Sequence, residues 1–265
     1  MSGSTNGSNA GLHGSNGSNA VAPLFALENE RLERASPAER LAFAVERFGR
    51  ELLFTSSFGA GSGVLLHLWS EVARELPVVF LDTGFLFEET LAYRDRLAEQ
   101  LRLTIEVVRP SLSREAFLAE HGANIYELNP DLCCAHNKVD PLRHYLARAK
   151  GWISGLRRDQ SAQRASTPIL LKADEGPVKV HPLATMTSAE AKQYMERHKV
   201  PEHPLVARRF LSIGCAPCTR AVLEGEDERA GRWAGKGKTE CGLHTALRPA
   251  GAAAVEGAEG EKAAR

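Results

Sequence analysis

The chain has 265 residues, of which 43% are hydrophobic and 25% charged, with 33 Lys+Arg balanced by 33 Asp+Glu. This balance excludes a global attraction to nucleic acid or to an anionic membrane, so an anionic substrate has to be bound by local basic residues. No apolar run approaches the roughly 18 residues that a membrane-spanning helix needs. Residues 1–20 lack the basic start and apolar core of a secretory signal. We therefore expect a soluble, cytoplasmic protein with no nucleic-acid or membrane partner.

The two ends of the chain differ in composition from its middle. Fourteen of the first twenty residues are Gly, Ser or Asn, and the stretch from Pro249 is rich in Ala, Gly and Glu. Such segments bury too little apolar surface to offset the entropy lost on ordering. We expect disordered tails at 1–22 and 249–265, a nucleotide-binding α/β domain at 23–224 and a C-terminal segment at 225–248.

Helix and strand signals alternate through the middle of the chain. Ser36-Pro37-Ala38-Glu39 is a capping box with proline at the first helical position. Residues 77–84 begin as a short apolar run, which is typical of a buried parallel strand. In chain order we predict a helix from Ser36 to Gly49, a strand at 51–58, a helix over 64–72, strands at 77–84 and 103–109, a helix over 133–150, a strand at 151–157 and a helix from Thr187 that stops before Pro201.

This alternation predicts an α/β fold with a doubly wound, mostly parallel sheet and right-handed crossovers. Ligands of such sheets lie beyond the carboxyl ends of the strands. Three polar or Gly-rich turns, at 56–63, 81–84 and 155–161, follow or end predicted strands. A nucleotide is the expected ligand of the crevice that these turns form.

Four of the five cysteines form two pairs. Cys133 and Cys134 are adjacent, and Cys215 and Cys218 form a C-x-x-C motif after an interval of 80 residues. Two such pairs can supply four thiolates to one metal centre. An adjacent pair is awkward for zinc, whose paired ligands are usually about two to four residues apart, so the spacing favours an iron–sulfur cluster. A structural zinc and two unrelated pairs of buried cysteines remain alternatives.

The fifth cysteine, Cys241, lies in a polar context just after Lys236 and Lys238. Nearby cations favour the thiolate, so Cys241 is a candidate nucleophile. The alternative is that it is a packing residue, as lone cysteines usually are. Three glycines between residues 231 and 237 predict a segment that can close over a substrate and later open.

Basic residues are grouped near the proposed crevice. Most surface Arg and Lys are merely solvated, but grouped guanidinium groups can bind phosphate or sulfate oxygens in a bidentate manner. The candidates are Arg157, Arg158 and Arg164 after a predicted strand, Arg229 and Arg232 before Cys241, and Lys138 after the cysteine pair.

Four segments, taken together, closely resemble the assimilatory adenylyl-sulfate reductases, the cluster-containing branch of the phosphosulfate-nucleotide reductases. They are CCAHNKVDPL from Cys133, GLRRDQSAQRA from Gly155, SIGCAPCTRAV from Ser212 and KTECGLH from Lys238. LDTGFLFEET from Leu81 also fits, and the resemblance spans about residues 40 to 246.

The resemblance implies a fold like that of the adenine-nucleotide hydrolases and ATP pyrophosphatases, with a mobile C-terminal catalytic segment. It implies that Cys241 attacks the sulfur of adenylyl sulfate, that AMP leaves, and that thioredoxin or a similar dithiol releases sulfite. It further implies a [4Fe–4S] cluster on Cys133, Cys134, Cys215 and Cys218, with Lys138 linking the cluster to the phosphosulfate. The other substrate-binding residues it implies are Ser57, Gly59, Leu81, Thr83, Gly155, Arg164, Arg229, Arg232 and His244.

Two departures from this family stand out. Related sequences usually carry an acidic Glu-Asp pair where this chain has Gly61-Ser62, and the segment between Arg232 and Cys241 is shorter and less aromatic than in some relatives. The first departure leaves open whether the loop binds substrate in the same way.

Three other functions remain alternatives. The substrate can be 3′-phosphoadenylyl sulfate, alone or as well, although members with that preference commonly lack the cluster cysteines. An ATP-dependent ligase or thiolase would need an S-G-G-x-D-S loop, whose Asp is missing from SSFGAGSG at 56–63. A non-enzymatic binding module would use the four cysteines as a zinc site. The oligomeric state, including a homo-oligomer, and the physiological electron donor stay open.

Overall fold

The computed structural model describes residues 25–172, 176–235 and Lys238. Both predicted tails, the nucleophile candidate Cys241 and the predicted ligand His244 lie outside the described residues. The helices are α1 (Ala26–Glu33), α2 (Pro37–Phe48), α3 (Gly63–Val72), α4 (Glu88–Leu101), α5 (Arg114–His121), α6 (Ile125–Leu128), α7 (Pro130–Cys134), α8 (Asp140–Arg148) and α9 (Ser188–Arg197). The strands are β1 (Leu52–Ser56), β2 (Val78–Leu81), β3 (Ile105–Val108), β4 (Gly151–Ile153), β5 (Leu170–Lys172) and β6 (Val178–Val180).

The six strands form one sheet in the order β3-β2-β1-β4-β6-β5. The pairs β3–β2, β2–β1, β1–β4 and β4–β6 are parallel, and β5 runs antiparallel to β6 at the edge. The chain therefore starts near the middle of the sheet and adds strands first on one side and then on the other. The predicted doubly wound, mostly parallel sheet is confirmed, and its strand order reverses next to β1, where such folds bind ligands.

The sheet buries apolar residues on both faces, because successive side chains of a strand point to opposite sides. Phe54 and Phe80 join the larger core cluster, which contains Trp69 of α3. Leu53 and Trp152 join a smaller cluster on the other face with residues of α8. Helices thus cover both faces, and the strand ends are left as the place for a ligand.

Local signals set the helix starts. Ser36 and Thr187 each form the predicted capping box with a glutamate three residues later. The helix predicted from Cys133 begins earlier, at Pro130, because the Asn129 side chain accepts a hydrogen bond from the Leu132 N–H at 3.0 Å. Asparagine at the cap followed by proline is a strong start signal.

Two predicted elements differ in form from what the pattern indicated. The helix over 133–150 is interrupted by a π-helical turn at Ala135–Val139, which separates α7 from α8. The strand predicted at 151–157 ends at Ile153, and the residues after it form a loop. Among the described residues, no helix is both long and apolar enough to cross a membrane.

Candidate active site

A cavity of about 260 Å³ lies beyond the carboxyl ends of β1, β2 and β4. It is where the topology predicts a ligand, since the turns that follow these strands line it. Nine of the ten residues predicted to bind substrate line this single cavity: Ser57, Gly59, Leu81, Thr83, Lys138, Gly155, Arg164, Arg229 and Arg232.

The turn after β1 forms one wall of the cavity. The Ser56 hydroxyl accepts a hydrogen bond from the Phe58 N–H at 3.2 Å, and the Ser62 hydroxyl donates one to the Gly59 carbonyl at 2.7 Å. The turn leads into α3, whose first turn contains no acidic residue. The N-terminus of this helix therefore presents N–H groups and a partial positive charge that favour an anion.

The cavity is strongly cationic, although the chain as a whole is neutral. Lys138, Arg164, Arg229 and Arg232 line it, and none of the described lining residues is Asp or Glu. Arg164 is buried, and its Nη1 donates to the Gln160 Oε1 at 2.5 Å. Such a group of cations suits sulfate or phosphate oxygens.

Arg232 is held by close packing. Its guanidinium lies 4.3 Å from the centre of the Trp233 ring, a cation–π contact. A Cβ on Gly214 would overlap the Arg232 guanidinium, so a larger residue there would require this guanidinium to move. A Cβ on Gly231 would likewise overlap the Arg220 carbonyl. Gly231, which the sequence suggested as part of a mobile segment, is therefore required for close packing.

Two of the basic candidates do not reach the cavity. Arg158 donates to the Thr167 carbonyl at 2.8 Å and pairs with Glu33 of α1. Arg157 is buried beside the cavity and pairs with Asp159 and Glu228. The predicted grouping of these arginines with Arg164 was therefore wrong for both, because their guanidinium groups pair with carboxylates outside the cavity lining.

Cys215 lines the cavity, and Cys133 and Cys218 lie in the same buried cluster as Cys215. Cys133 packs against a buried cluster that contains Cys215, Cys218, Phe117 and Trp233. Burial raises the pKa of the Cys133 thiol to about 11, and the nearby Cys215 and Cys218 add to this effect. None of the described cysteines is in a disulfide. Two sequence-distant pairs thus converge, as their spacing predicted.

Several polar groups contact the cysteine sulfurs. Thr83 Oγ1 lies 3.4 Å from Cys215 Sγ, and Asn137 Nδ2 lies 3.8 Å from Cys133 Sγ. Burial alone would lower the pKa of the Lys238 ammonium, but its hydrogen bonds to Asp131 and Cys134 raise that pKa above its usual value. Hydrogen bonds of this kind orient and tune thiolate ligands.

These residues fit a [4Fe–4S] cluster. Among the described residues, no three His, Cys, Asp or Glu side chains are grouped around a position for one metal ion. A cubane cluster binds each thiolate through a different iron, so its ligands are spread around it rather than gathered on one point. Cys133, Cys215 and Cys218 share an apolar pocket, and buried Cys134 directly follows Cys133. With hydrogen-bond donors to the sulfurs and Lys138 close by, these four residues match that requirement.

Sequence reasoning missed part of the cavity wall. Gln160 and Trp233 line it, as does the segment at 211–214 that precedes the C-x-x-C motif. Their only signal in the sequence was their position next to residues already predicted to form the site. For Trp233, that residue is Arg232.

Comparison with known proteins agrees with this site. The phosphoadenosine phosphosulfate reductase domain family matches residues 51–221. The chain is also 46% identical over 202 residues to an adenosine 5′-phosphosulfate reductase of Mesorhizobium japonicum, covering 76% of this chain and 79% of that protein. The chain belongs to the phosphoadenosine phosphosulfate reductase family. The resemblance drawn from the four sequence segments is thereby confirmed.

Other similar proteins are named for phosphoadenosine phosphosulfate instead of adenosine phosphosulfate. A phosphoadenosine 5′-phosphosulfate reductase of Gloeobacter violaceus is 44% identical over 216 residues, covering 80% of this chain and 90% of that protein. The structure of the phosphoadenylyl-sulfate reductase from Candida auris, in complex with phosphate, superposes with a TM-score of 0.64 and 28% identity, covering 73% of this chain and 94% of that one. The fold expected from the resemblance is therefore confirmed as well.

Proposed function

We propose that this enzyme reduces adenylyl sulfate to sulfite and AMP in sulfate assimilation. The observation that carries the proposal is the cavity itself. It combines turns at strand ends, where nucleotides bind, with four cations and with Cys215, which belongs to a buried cluster with Cys133 and Cys218. The adenosine would contact the turns at Ser57, Gly59 and Leu81. The phosphosulfate would lie among the basic residues, and the family membership supports this class of substrate.

The cations would stabilise the leaving group. Displacing AMP from sulfur leaves negative charge on a phosphate oxygen, and fixed donors bind that charge without reorganisation. Lys138, Arg164, Arg229 and Arg232 are the donors that line the cavity. Two of them, Lys138 and Arg164, are buried, which strengthens their interaction with an anion.

We assign the nucleophile to Cys241. Its thiolate would attack the sulfur of adenylyl sulfate, the bond from sulfur to the AMP phosphate oxygen would break, and the sulfonate would stay on Cys241 Sγ. A dithiol such as thioredoxin would then attack this Sγ and release sulfite, and its second thiol would resolve the mixed disulfide. The dithiol thus supplies the two electrons that reduce the sulfur, in a reaction we assign to the reducing cytoplasm.

Cys133, Cys134, Cys215 and Cys218 would hold the [4Fe–4S] cluster. When bound, the cluster supplies a rigid, negatively charged wall beside the cavity. Lys138 lies in the π-helical turn that follows Cys133 and Cys134, lines the cavity and lowers the pKa of Cys133. Its ammonium would therefore link the cluster ligands to the phosphosulfate. Iron, sulfide and a brown colour in the anaerobic protein would support this assignment. A single zinc ion in a colourless protein would instead support the alternative of a non-enzymatic binding module.

The covalent intermediate gives a direct test. Anaerobic enzyme is incubated with adenylyl sulfate and no reductant, and its peptides are analysed by mass spectrometry. We expect a sulfonate adduct on Cys241 with release of AMP, and no adduct with Cys241→Ser. AMP release by Cys241→Ser at the wild-type rate, or an adduct on another cysteine, would contradict the assigned nucleophile.

A second candidate is reduction of 3′-phosphoadenylyl sulfate, alone or in addition. The name of the Gloeobacter relative favours it. The two candidates share every chemical step and differ only at the ribose, so only a comparison of the two nucleotides separates them.

A further inference from the structure

A buried arginine outside the cavity joins segments that form the cavity wall. The Arg157 side chain is 4% exposed and is absent from the cavity lining. Its Nε donates to Asp159 Oδ1 at 3.1 Å, and its Nη2 donates to Ser188 Oγ at 2.8 Å. The same Nη2 lies 3.2 Å from both carboxylate oxygens of Glu228. Arg157 therefore connects the loop after β4, the start of α9 and the C-terminal segment.

The same arginine contacts two more parts of the wall. A Cβ on Gly61 would lie 3.0 Å from Arg157 Nη1, so the turn after β1 passes directly over the guanidinium. The main-chain N–H of Arg157 donates to Gln160 Oε1 at 3.1 Å, and this oxygen also accepts from Arg164 Nη1. Arg157 therefore contacts residues on both sides of the cavity, the turn after β1 through its side chain and Gln160 through its main chain.

The charges around Arg157 form a closed network. Ser188 Oγ lies 2.7 Å from Asp159 Oδ2 and 2.7 Å from Glu228 Oε1. Burial would raise the pKa of Asp159, but Ser188 and Arg157 outweigh it and keep that pKa below its usual value. The Arg157 guanidinium thus pairs with the carboxylates of Asp159 and Glu228, and this pairing keeps them away from the cations that line the cavity.

Glu228 is directly followed by Arg229, which lines the cavity. The turn is tight, since the Ala230 N–H donates to the Asp227 carbonyl at 3.0 Å and the Arg232 N–H donates to the Arg229 carbonyl at 2.8 Å. Fixing the Glu228 carboxylate therefore fixes the main chain from which Arg229 extends, and the Arg229 guanidinium lies 5.9 Å from the centre of the Trp233 ring. Arg232 has a separate anchor, because it pairs with Thr219 in an antiparallel bridge.

We propose that Arg157 and Glu228 are positioning residues that hold Arg229 against the anionic part of the bound nucleotide. This inference rests on the proposed function, because it takes an adenosine phosphate as the ligand. This pair, which we call the Arg157–Glu228 clamp, acts on the anion and not on the adenosine. The adenosine is bound by the turns at the strand ends. Loss of the clamp therefore weakens a phosphate-bearing ligand selectively.

The test compares AMP with adenosine in calorimetric titrations of the anaerobic full-length protein. Glu228→Gln keeps the shape of the side chain and removes its charge. We expect it to weaken AMP about tenfold, as for loss of one charge-assisted contact, and to leave adenosine within about twofold. Ser188→Ala should also weaken AMP binding. It is the second variant of the test and is used instead of a substitution of Arg157, because a variant of this buried arginine can fail to fold.

Glu226→Gln is the matched control. Glu226 lies in the same segment and pairs with Arg220 at 2.8 Å, but this pair is on the surface away from the cavity. Hydrogen exchange of residues 223–235 gives a readout that needs no ligand, and we expect faster exchange in Glu228→Gln than in Glu226→Gln.

Three results would overturn the clamp. The first is equal AMP affinity in Glu228→Gln and Glu226→Gln. The second is an equal loss of affinity for AMP and for adenosine in Glu228→Gln. The third is a wild-type protein that binds no AMP. Failure of the proposed function is distinguishable, since it would show as wild-type AMP binding without sulfite release from either sulfated nucleotide.

Discussion

Thr83 Oγ1 lies 3.4 Å from Cys215 Sγ, so the turn after β2 contacts one of the four clustered cysteines. The Ala216 N–H donates to the Phe85 carbonyl at 2.7 Å, which joins the same turn to the C-x-x-C motif. Both Thr83 and Cys215 line the cavity. The cysteine pocket and the cavity therefore share a wall, and damage to one is expected to affect the other.

Cys134→Ser removes one of the four thiols and should cost the protein its iron. Metal sites of this type rarely stay organised without the metal, so residues 130–145 and 213–220 should exchange amide protons faster. Iron and sulfide analysis with hydrogen exchange measures both effects. Cys241→Ser is the control and should retain its iron. Full iron content in Cys134→Ser would contradict the assigned ligand set.

Lys138→Met removes a buried ammonium from the cavity wall. We expect kcat to fall about 10²- to 10³-fold, the usual cost of losing one donor to developing negative charge. Lys150→Met is the control, because Lys150 is exposed and pairs with Glu51 at 2.8 Å. Steady-state kinetics at matched iron content measures the effect. An unchanged kcat would show that Lys138 does not act on the leaving group.

His203 makes stability depend on pH. Its Nδ1 accepts the Leu205 N–H at 3.2 Å, its Nε2 lies 3.0 Å from Thr90 Oγ1, and burial lowers its pKa to about 4. The unfolded chain takes up this proton below about pH 6.5 and the folded chain only below about pH 4. The free energy of unfolding should therefore fall as the pH drops from 6.5 to 4, and His203 should add no pH dependence above 7.

Urea unfolding of the wild type and of His203→Gln at several pH values between 4 and 7.5 measures this contribution. Glutamine cannot take up the proton, so the variant should lose less stability over this range. Parallel losses in the two proteins would show that other groups cause the pH dependence.

Arg40 stabilises the fold rather than the site. It is 1% exposed, and its guanidinium donates to the carbonyls of Leu32, Glu33 and Pro182. Arg40→Ala removes one donor from each of these carbonyls, and we expect a loss of about 2–4 kcal/mol in the free energy of unfolding. Arg34→Ala, at an exposed arginine, should change it by less than about 0.5 kcal/mol. Equal effects, measured by urea unfolding, would contradict this role.

The sheet and most of the cavity could be predicted because their signals are local. Each of the four predicted strands contains a short apolar run, and topology brings the turns after these strands to one edge. This is why the three turns at 56–63, 81–84 and 155–161 were predicted together, and residues of each turn line one cavity. The short strands β5 and β6 were not predicted.

What the sequence could not predict depends on contacts between distant residues. Arg157 and Arg164 belong to the same segment after β4, yet only Arg164 lines the cavity, since Arg157 pairs with Asp159 and Glu228. The π-helical turn at Ala135–Val139 has no residue signature of its own. Cys241 lies outside the described residues, so its approach to the cavity stays a prediction.

The most direct test is sulfite release by the anaerobically purified protein with excess thioredoxin. Adenylyl sulfate is compared with its 3′-phosphorylated form at matched iron content. We predict turnover with strong preference for the unphosphorylated nucleotide, which would also show that Gly61-Ser62 is tolerated in the first turn. Preference for the phosphorylated form would favour the second candidate. Turnover of neither nucleotide, with the iron retained, would contradict the proposed function.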